Sequence, residues 1–297
     1  MRSYELTVTA ADAGGTVRAV LRRRLSFSDG LLSHLKYTDG AIRRNGESAR
    51  LIDRVCTGDR LTVSLSECGG SFTPVSLPLS ILYEDEDLLI IDKPAGMLVH
   101  GSASGAPTLG NAVAAYLGAG LPFHPVQRLD RETSGVMCVA KNRYVHELLR
   151  RRLHTEDFRR DYFAVILGEA VPPVGVIDAP VSRETDLHRR HFVTEGGLPS
   201  RTRYETLSVR NGLSLMRVLP ETGRTHQIRV HFAHCKTPLL GDALYGGADE
   251  RFARVALHSH TLSLRHPVSG QPLRVCAPLP DDLAALLQKT GLDEGFL

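Results

Sequence analysis

Three segments of the chain carry residue types that could do chemistry. The first is His124-Pro-Val-Gln-Arg-Leu-Asp-Arg-Glu-Thr-Ser-Gly-Val, in which Asp130 is flanked by Arg128 and Arg131. Opposite charge favours the ionised form of a carboxylate, and an ionised carboxylate can serve as a nucleophile or a base. A lone Asp beside Arg is more often a turn cap or a tie for a surface arginine, so Asp130 needs company before it carries a function. The second segment is Arg160-Asp-Tyr-Phe-Ala-Val-Ile-Leu-Gly. An aromatic at the start of an apolar strand is usually core, but Tyr162 could instead stack on a nucleobase, a contact worth ~1–3 kcal/mol. The third is Thr222-Gly-Arg-Thr-His-Gln-Ile-Arg-Val-His-Phe-Ala-His, followed by Pro238-Leu-Leu-Gly-Asp-Ala-Leu-Tyr-Gly. His226, His231 and His234 raise the question of a metal, and His231 and His234 stand one helical turn apart. No acid or cysteine lies at ligand spacing, and Arg224 and Arg229 crowd the segment with positive charge, which argues against one. A helix opened by Gly223-Arg224-Thr225 is expected, with its free N–H groups suited to phosphate or carboxylate.

These residues need a scaffold. Leu88–Ile91, Val136–Ala140 and Tyr162–Leu167 read as buried strands. Arg201–Val209 and Ser214–Leu219 alternate and are joined through Asn211-Gly212, a hairpin signal. Helices are predicted over about 109–117, 142–153, 225–235 and 281–289. Strand runs with interspersed helices and hairpin turns imply an α+β domain on a largely antiparallel sheet. Ahead of it, residues 1–66 read as a separate module. It has a strand from Tyr4, a helix over Thr16–Leu25, a second from Ser28 or Asp29 to Lys36, turns at Asp39-Gly40 and Asn45-Gly46, and a strand over Arg60–Leu65. Residues 67–80 are rich in Gly, Ser and Pro and read as a linker before a domain at 81–297.

Composition narrows the class. The 297 residues can bury a full core. No apolar run reaches the ~20 residues of a membrane helix, and the N-terminus shows no apolar signal core. The five cysteines (56, 68, 138, 235, 276) form no Cys-x-x-Cys pair, which points to a reducing, cytoplasmic setting rather than a zinc ribbon or disulfide framework. The net charge is only +3, yet of the 36 basic side chains just five are lysines. Arginine matches phosphate and stacks on bases. Nine arginines against five acids lie between 182 and 230, and Arg22, Arg23, Arg24, Arg43 and Arg44 surround the N-terminal helices. Both suggest a polyanion-binding face, although codon bias alone also enriches arginine.

Taken together the segments resemble one family. "R-L-D-x-x-T-S-G" (Arg128 to Gly135) is similar to the catalytic motif of RluA-type RNA pseudouridine synthases. "G-R-T-H-Q-I-R-V-H" (223–231), "P-L-L-G-D-x-x-Y-G" (238–246), "K-P-A-G-M-x-V-H" (93–100), "L-H-S-x-x-L-x-x-x-H-P" (257–267) and "A-P-L-P" (277–280) resemble its other motifs, in the right order over about 81–280. The family usually has His before Arg-Leu-Asp, where this chain has Gln127. The N-terminal module resembles the alpha-L RNA-binding module through its helix pair, Ile42 with Asn45-Gly46, and Gly58-Asp59 with Leu61.

The resemblance implies a pseudouridine synthase fold with a mixed, mainly antiparallel central sheet. It implies breakage of the bond between uracil N1 and ribose, rotation of the base, and rejoining through carbon 5. That isomerisation is redox-neutral, so no cofactor or metal is expected. Asp130 would be the catalytic carboxylate, acting on C1′ or on the 2′ proton. Tyr162 would lie against the base and Arg229 would pair with Asp130. Arg128, Arg224, His226, Arg22, Arg23 and Arg43 are the expected RNA contacts. Large-subunit ribosomal RNA is the expected partner and transfer RNA the alternative, with the chain acting as a monomer. A non-catalytic RNA-binding factor and an RNA N-glycosidase are the rivals. The second would want a paired acid acting on water, for which only Glu132 is at hand.

Overall fold

A computed structural model describes residues 2–66, 69–101, 105–118, 120–187 and 190–293. Cys68, named above, and Arg189, one of the nine arginines counted between 182 and 230, lie outside them. The N-terminal part opens with β1 (Arg2–Thr7), α1 (Val17–Leu25) and α2 (Asp29–Lys36), followed by β2 (Ile42–Arg44), β3 (Glu47–Ser48) and β4 (Arg60–Leu65). Thr16 caps α1 and Ser28 caps α2, each side chain accepting an N–H three residues on, as short polar side chains at helix starts do. The strands form a four-stranded sheet in the order β1-β4-β2-β3.

The rest of the chain builds a second, ten-stranded sheet. Its elements are β5 (Ser80–Glu84), β6 (Leu88–Lys93), α3 (Leu109–Leu117), β7 (His124–Pro125), β8 (Ser134–Ala140), α4 (Arg143–Arg152), β9 (Phe158–Leu167), β10 (Val174–Asp178), β11 (Arg201–Arg210), β12 (Leu213–Pro220), α5 (Gln227–His234), β13 (Leu257–Arg265), β14 (Pro272–Cys276) and α6 (Asp281–Thr290). The order is β10-β11-β12-β9-β13-β8-β6-β5, with β14 beside β13 and β7 beside β8. Among the described residues every strand pair is antiparallel except β13 with β8, so the sheet is mixed and mainly antiparallel. β11 and β12 turn at Asn211-Gly212, whose φ values of 52° and 70° suit the twist of a two-residue hairpin.

The parallel contact positions the site. β8 begins at Ser134, immediately after the Asp130 loop, and Gly135 stands opposite Ser259 of β13. Ser259 in turn stands opposite Tyr162 of β9. The backbones of β8 and β13 approach so closely that a Cβ on Gly135 would lie 2.1 Å from the Ser259 carbonyl oxygen. Only glycine can hold that approach and its φ of +109° together. One apolar cluster runs from the N-terminal helices into the large sheet. Phe27 and Tyr4 pack on Tyr144 of α4 with ring centroids 4.7 and 4.8 Å apart. Asp87 accepts from Arg2 and Tyr4 beneath this contact.

Candidate active site

The Asp130 loop is held from below by main-chain contacts. Leu129 is buried in the core beneath the loop. The Thr133 N–H donates to the Asp130 carbonyl, and the Gly96 N–H to that of Arg131. The Lys93 ammonium is fully buried and donates to the carbonyls of Pro94 (2.7 Å), Met97 (2.9 Å) and Arg131 (3.2 Å). Burial pushes its pKa down to about 8, against the pull of Asp130 and Glu132. Arg254 donates to the Glu132 carbonyl at 3.1 Å while its fork grips Asp282 of α6 at 2.6 and 2.8 Å. Ser134 Oγ lies 3.0 Å from His258 Nδ1.

The Asp130 carboxylate is a quarter exposed and faces α5. Arg229 of α5 reaches it with Nη1, 3.4 Å from Oδ2. Most of Arg229 is spent elsewhere: Nε and Nη2 grip the buried carboxylate of Asp242 at 2.7 and 2.8 Å, the bidentate geometry that suits a guanidinium. Burial works against the charge of Arg229, and Asp242 and Asp130 more than offset it, so its pKa is raised. The guanidinium also sits 5.0 Å from the ring centroid of Tyr245. His226 stands on the same side, Nε2 3.9 Å from Asp130 Oδ2 and Nδ1 2.9 Å from Tyr245 Oη.

Two expectations change here. The cations facing Asp130 are not its chain neighbours: Arg131 turns to Glu132 at 2.7 Å and Arg128 is exposed. Asp130 opens a turn closed by the Thr133 N–H, and Arg131 within that turn pairs with Glu132 instead, so the cation facing Asp130 comes from α5. Nor does the helix open at Gly223-Arg224-Thr225. α5 begins at Gln227 because the Gln227 side chain folds back, accepting from Thr222 Oγ1 (2.7 Å) and the Arg224 N–H (3.0 Å). A donor expected to be free for a ligand is thereby used within the turn. Arg224 itself donates to the Pro199 carbonyl.

The remaining expected residues fall as follows. Tyr162 is 5% exposed, set in the apolar cluster that also holds Leu129. Burial raises its pKa, and the Asp130 charge adds to this. His231 is buried with Nδ1 2.9 Å from Thr202 Oγ1 and Nε2 2.9 Å from the Ala179 carbonyl, so both nitrogens have structural partners. Gln127 is buried, and its Oε1 accepts the Cys138 N–H at 3.4 Å. On the N-terminal helices Arg23 and Arg24 both hold the buried Asp12, and Arg22 lies 3.4 Å from Asp29. Arg43 is exposed on β2.

The sequence profile of RNA pseudouridylate synthases matches residues 87–234, which contain Asp130, Tyr162 and Arg229. The chain is 38% identical over 308 residues to "Ribosomal large subunit pseudouridine synthase D" of Xanthomonas campestris pv. campestris, covering 95% of this chain and 91% of that one. The chain belongs to the RNA pseudouridylate synthase family. The protein of the same name in Escherichia coli K12 is 35% identical, over 80% of this chain and 78% of its own. "Human RNA Pseudouridylate Synthase Domain Containing 1" is 27% identical and superposes with a TM-score of 0.58, covering 70% of this chain and 87% of that one. A second human structure, "Human RNA Pseudouridylate Synthase Domain Containing 4", shares the fold with a TM-score of 0.59.

The enzyme is an isomerase that converts uridine in RNA to pseudouridine. Four residues of its site were unassigned by sequence reasoning: Lys93, Asp242 and Tyr245, which lie within the motifs, and Arg254, which lies between two of them. The signal for Asp242 was available, since an acid following Leu-Leu-Gly in a segment holding two arginines calls for a buried partner. Nothing in the spacing marks Arg254.

Proposed function

We propose that the enzyme modifies uridines of large-subunit ribosomal RNA, with Asp130 as the carboxylate that reacts at the ribose. The observation that carries the assignment is the approach of Arg229 to Asp130 at 3.4 Å, made by residues 99 positions apart. A carboxylate gripped on one oxygen and a quarter open to solvent can meet a nucleotide that has left its stack. Asp130 then attacks C1′ to form an ester bond, or removes the 2′ proton to give a glycal, as the N1–C1′ bond breaks. The base turns and C5 bonds to C1′ as the ester bond breaks or the 2′ proton returns; C5 then gives up its proton and N1 takes one up from solvent. Tyr162 keeps its phenolic proton, because burial disfavours the phenolate. It acts as a wall and a donor beside the base.

Arg128, exposed next to Asp130, and Arg224, beside the α5 turn, are the proposed contacts to the RNA around the flipped uridine. Residues 1–66 are the proposed alpha-L RNA-binding module, with Arg22, Arg23 and Arg43 on its outer face, and 81–297 the catalytic domain. Arg151 donates to the Ser26 carbonyl at 2.8 Å, so the Arg150–Arg152 end of α4 abuts the Arg22–Arg24 end of α1. Such a row positions RNA through phosphate without reading its sequence. The names of the relatives support ribosomal RNA as the substrate; the enzyme acts as a cytoplasmic monomer.

The test is a transcriptome-wide pseudouridine map after carbodiimide labelling, in cells with the wild-type gene, a deletion and Asp130→Asn. Loss of the same large-subunit sites in the deletion and the mutant is expected. Loss confined to transfer RNA moves the target, and an unchanged map removes the reading altogether.

A further inference from the structure

His226 precedes the first residue of α5 with φ 55° and ψ 16°, a left-handed conformation that costs a residue with a side chain of its own. The surroundings impose it. Gln227, the next residue, is fixed at both ends, its Oε1 by Thr222 and the Arg224 N–H and its Nε2 by the Arg201 carbonyl and Thr202 Oγ1. The outcome is an imidazole aimed at Asp130 rather than along the helix. Tyr245 Oη accepts the main-chain N–H of His191 at 3.0 Å, a group that can only donate. Among the described residues His226 Nδ1, at 2.9 Å, is the partner on hand for the one proton of Tyr245, and donation to it satisfies both groups. An imidazole that accepts at Nδ1 and is neutral carries its proton on Nε2, the nitrogen facing Asp130. Burial, with Arg229 and His191 near the ring, lowers the His226 pKa against the pull of Asp130 and Asp242.

We infer that His226 is a positioning residue: Tyr245 fixes it in the Nε2–H form, and with Arg229 it holds the Oδ2 edge of Asp130, leaving Oδ1 to meet the ribose. Both groups approach the same oxygen, Arg229 at 3.4 Å and His226 at 3.9 Å. The longer distance closes to a hydrogen bond when RNA fills the site, as such contacts commonly do. A carboxylate held on one edge keeps the other aimed at C1′ or the 2′ proton. The inference rests on Asp130 being the reacting carboxylate.

Two measurements test it on the full-length enzyme. Two-bond proton–nitrogen correlation spectra of 15N-labelled protein at pH 7 should show His226 neutral with its proton on Nε2. In Tyr245→Phe the other tautomer should appear. Single-turnover tritium release from 5-tritiated target RNA, at saturating RNA, should slow by about 10- to 100-fold in His226→Ala. His226→Gln, which returns an N–H donor near the Nε2 position, should recover much of the loss. In Tyr245→Phe the deficit relative to wild type should shrink as pH falls, because an imidazolium donates from Nε2 without help. Asp130, Arg229, His191, Asp242 and Tyr245 are the titratable or charged groups facing the ring, and all but Tyr245 are common to both proteins. A proton on Nδ1 in the wild type, or Gln no better than Ala, overturns the inference. If the wild type releases no tritium from the RNA, the substrate reading fails, and the tautomer spectrum alone then decides whether Tyr245 orients His226.

Discussion

Asp242 touches no substrate in the proposed mechanism, yet Asp242→Asn should damage both the fold and the rate. The Asp242 carboxylate is 1% exposed and the Arg229 side chain 8%, so the pair is effectively sealed from water. Removing one partner of a buried, hydrogen-bonded pair leaves the other charge uncompensated, at about 3–5 kcal/mol. Asn keeps the shape and one acceptor, and Arg229 retains Asp130 at 3.4 Å, so the lower end, about 3 kcal/mol, is expected. At roughly 2 °C per kcal/mol for a chain of this size, Tm should fall by about 6 °C. Arg229 would then swing towards Asp130, the nearest remaining carboxylate, and pull it from its working position. A misplacement of that kind costs on the order of 100-fold in single-turnover rate. Thermal unfolding followed by circular dichroism reads the first effect and tritium release at saturating RNA the second. A Tm within about 1 °C of wild type, with a rate within a factor of three, would refute the claim that Asp242 sets the Arg229–Asp130 geometry. Arg229→Lys should resemble it in rate, because an ammonium cannot hold Asp242 at two points and reach Asp130 as well.

Three further outcomes are expected. Burial pushes the His258 pKa down to about 4 from an ordinary 6.5. Between those values the unfolded chain takes up a proton that the fold refuses, so stability should fall by about 3 kcal/mol as pH drops through the window; urea midpoints from pH 7 to 4 should flatten in His258→Asn, which keeps a polar atom for Ser134. Gly135→Ala adds a Cβ 2.1 Å from the Ser259 carbonyl at a φ of +109° and should cost more than ~3 kcal/mol, seen as a lower urea midpoint with a parallel loss of activity. Lys93→Met leaves the carbonyls of Pro94, Met97 and Arg131 without their shared donor; an expected loss of about 2–4 kcal/mol would be contradicted by an unchanged urea midpoint.

Much of the fold was legible because local signals agreed with the tertiary ones. Thr16 and Ser28 announce the two N-terminal helices, and each does cap its helix. Asn211-Gly212 announces the β11–β12 hairpin, and both residues take the positive φ that it needs. The helix expected over 109–117 is α3 itself. The sequence could not display the parallel pairing of β8 with β13, because their contact joins residues more than 120 positions apart. It also gave no sign that the apolar stripes of α1 and α2 continue into the large sheet through Tyr144. An apolar stripe says that a face is covered, and is silent on what covers it.

The site shows the same division more sharply. Asp130 and Arg229 as its expected partner were readable only through the resemblance of their motifs; the local charge pattern pointed to Arg128 and Arg131 instead, because charge neighbours along a chain differ from charge neighbours in space. Arg128 and Arg131 flank it in sequence, but Arg128 is exposed and Arg131 pairs with Glu132; Arg229, 99 residues on, meets it. Asp242, 13 residues further on again, decides how much of Arg229 is left for that meeting. The start of α5 was misread for a related reason. Helical spacing placed it at Thr225, whereas a side chain two residues later claims the donors first. Gln227 thereby spends the expected phosphate-binding turn on aiming His226. In this segment a helix start that local pattern alone would place earlier has been displaced, and the displacement brings a strained histidine to face the carboxylate on which the proposed chemistry depends.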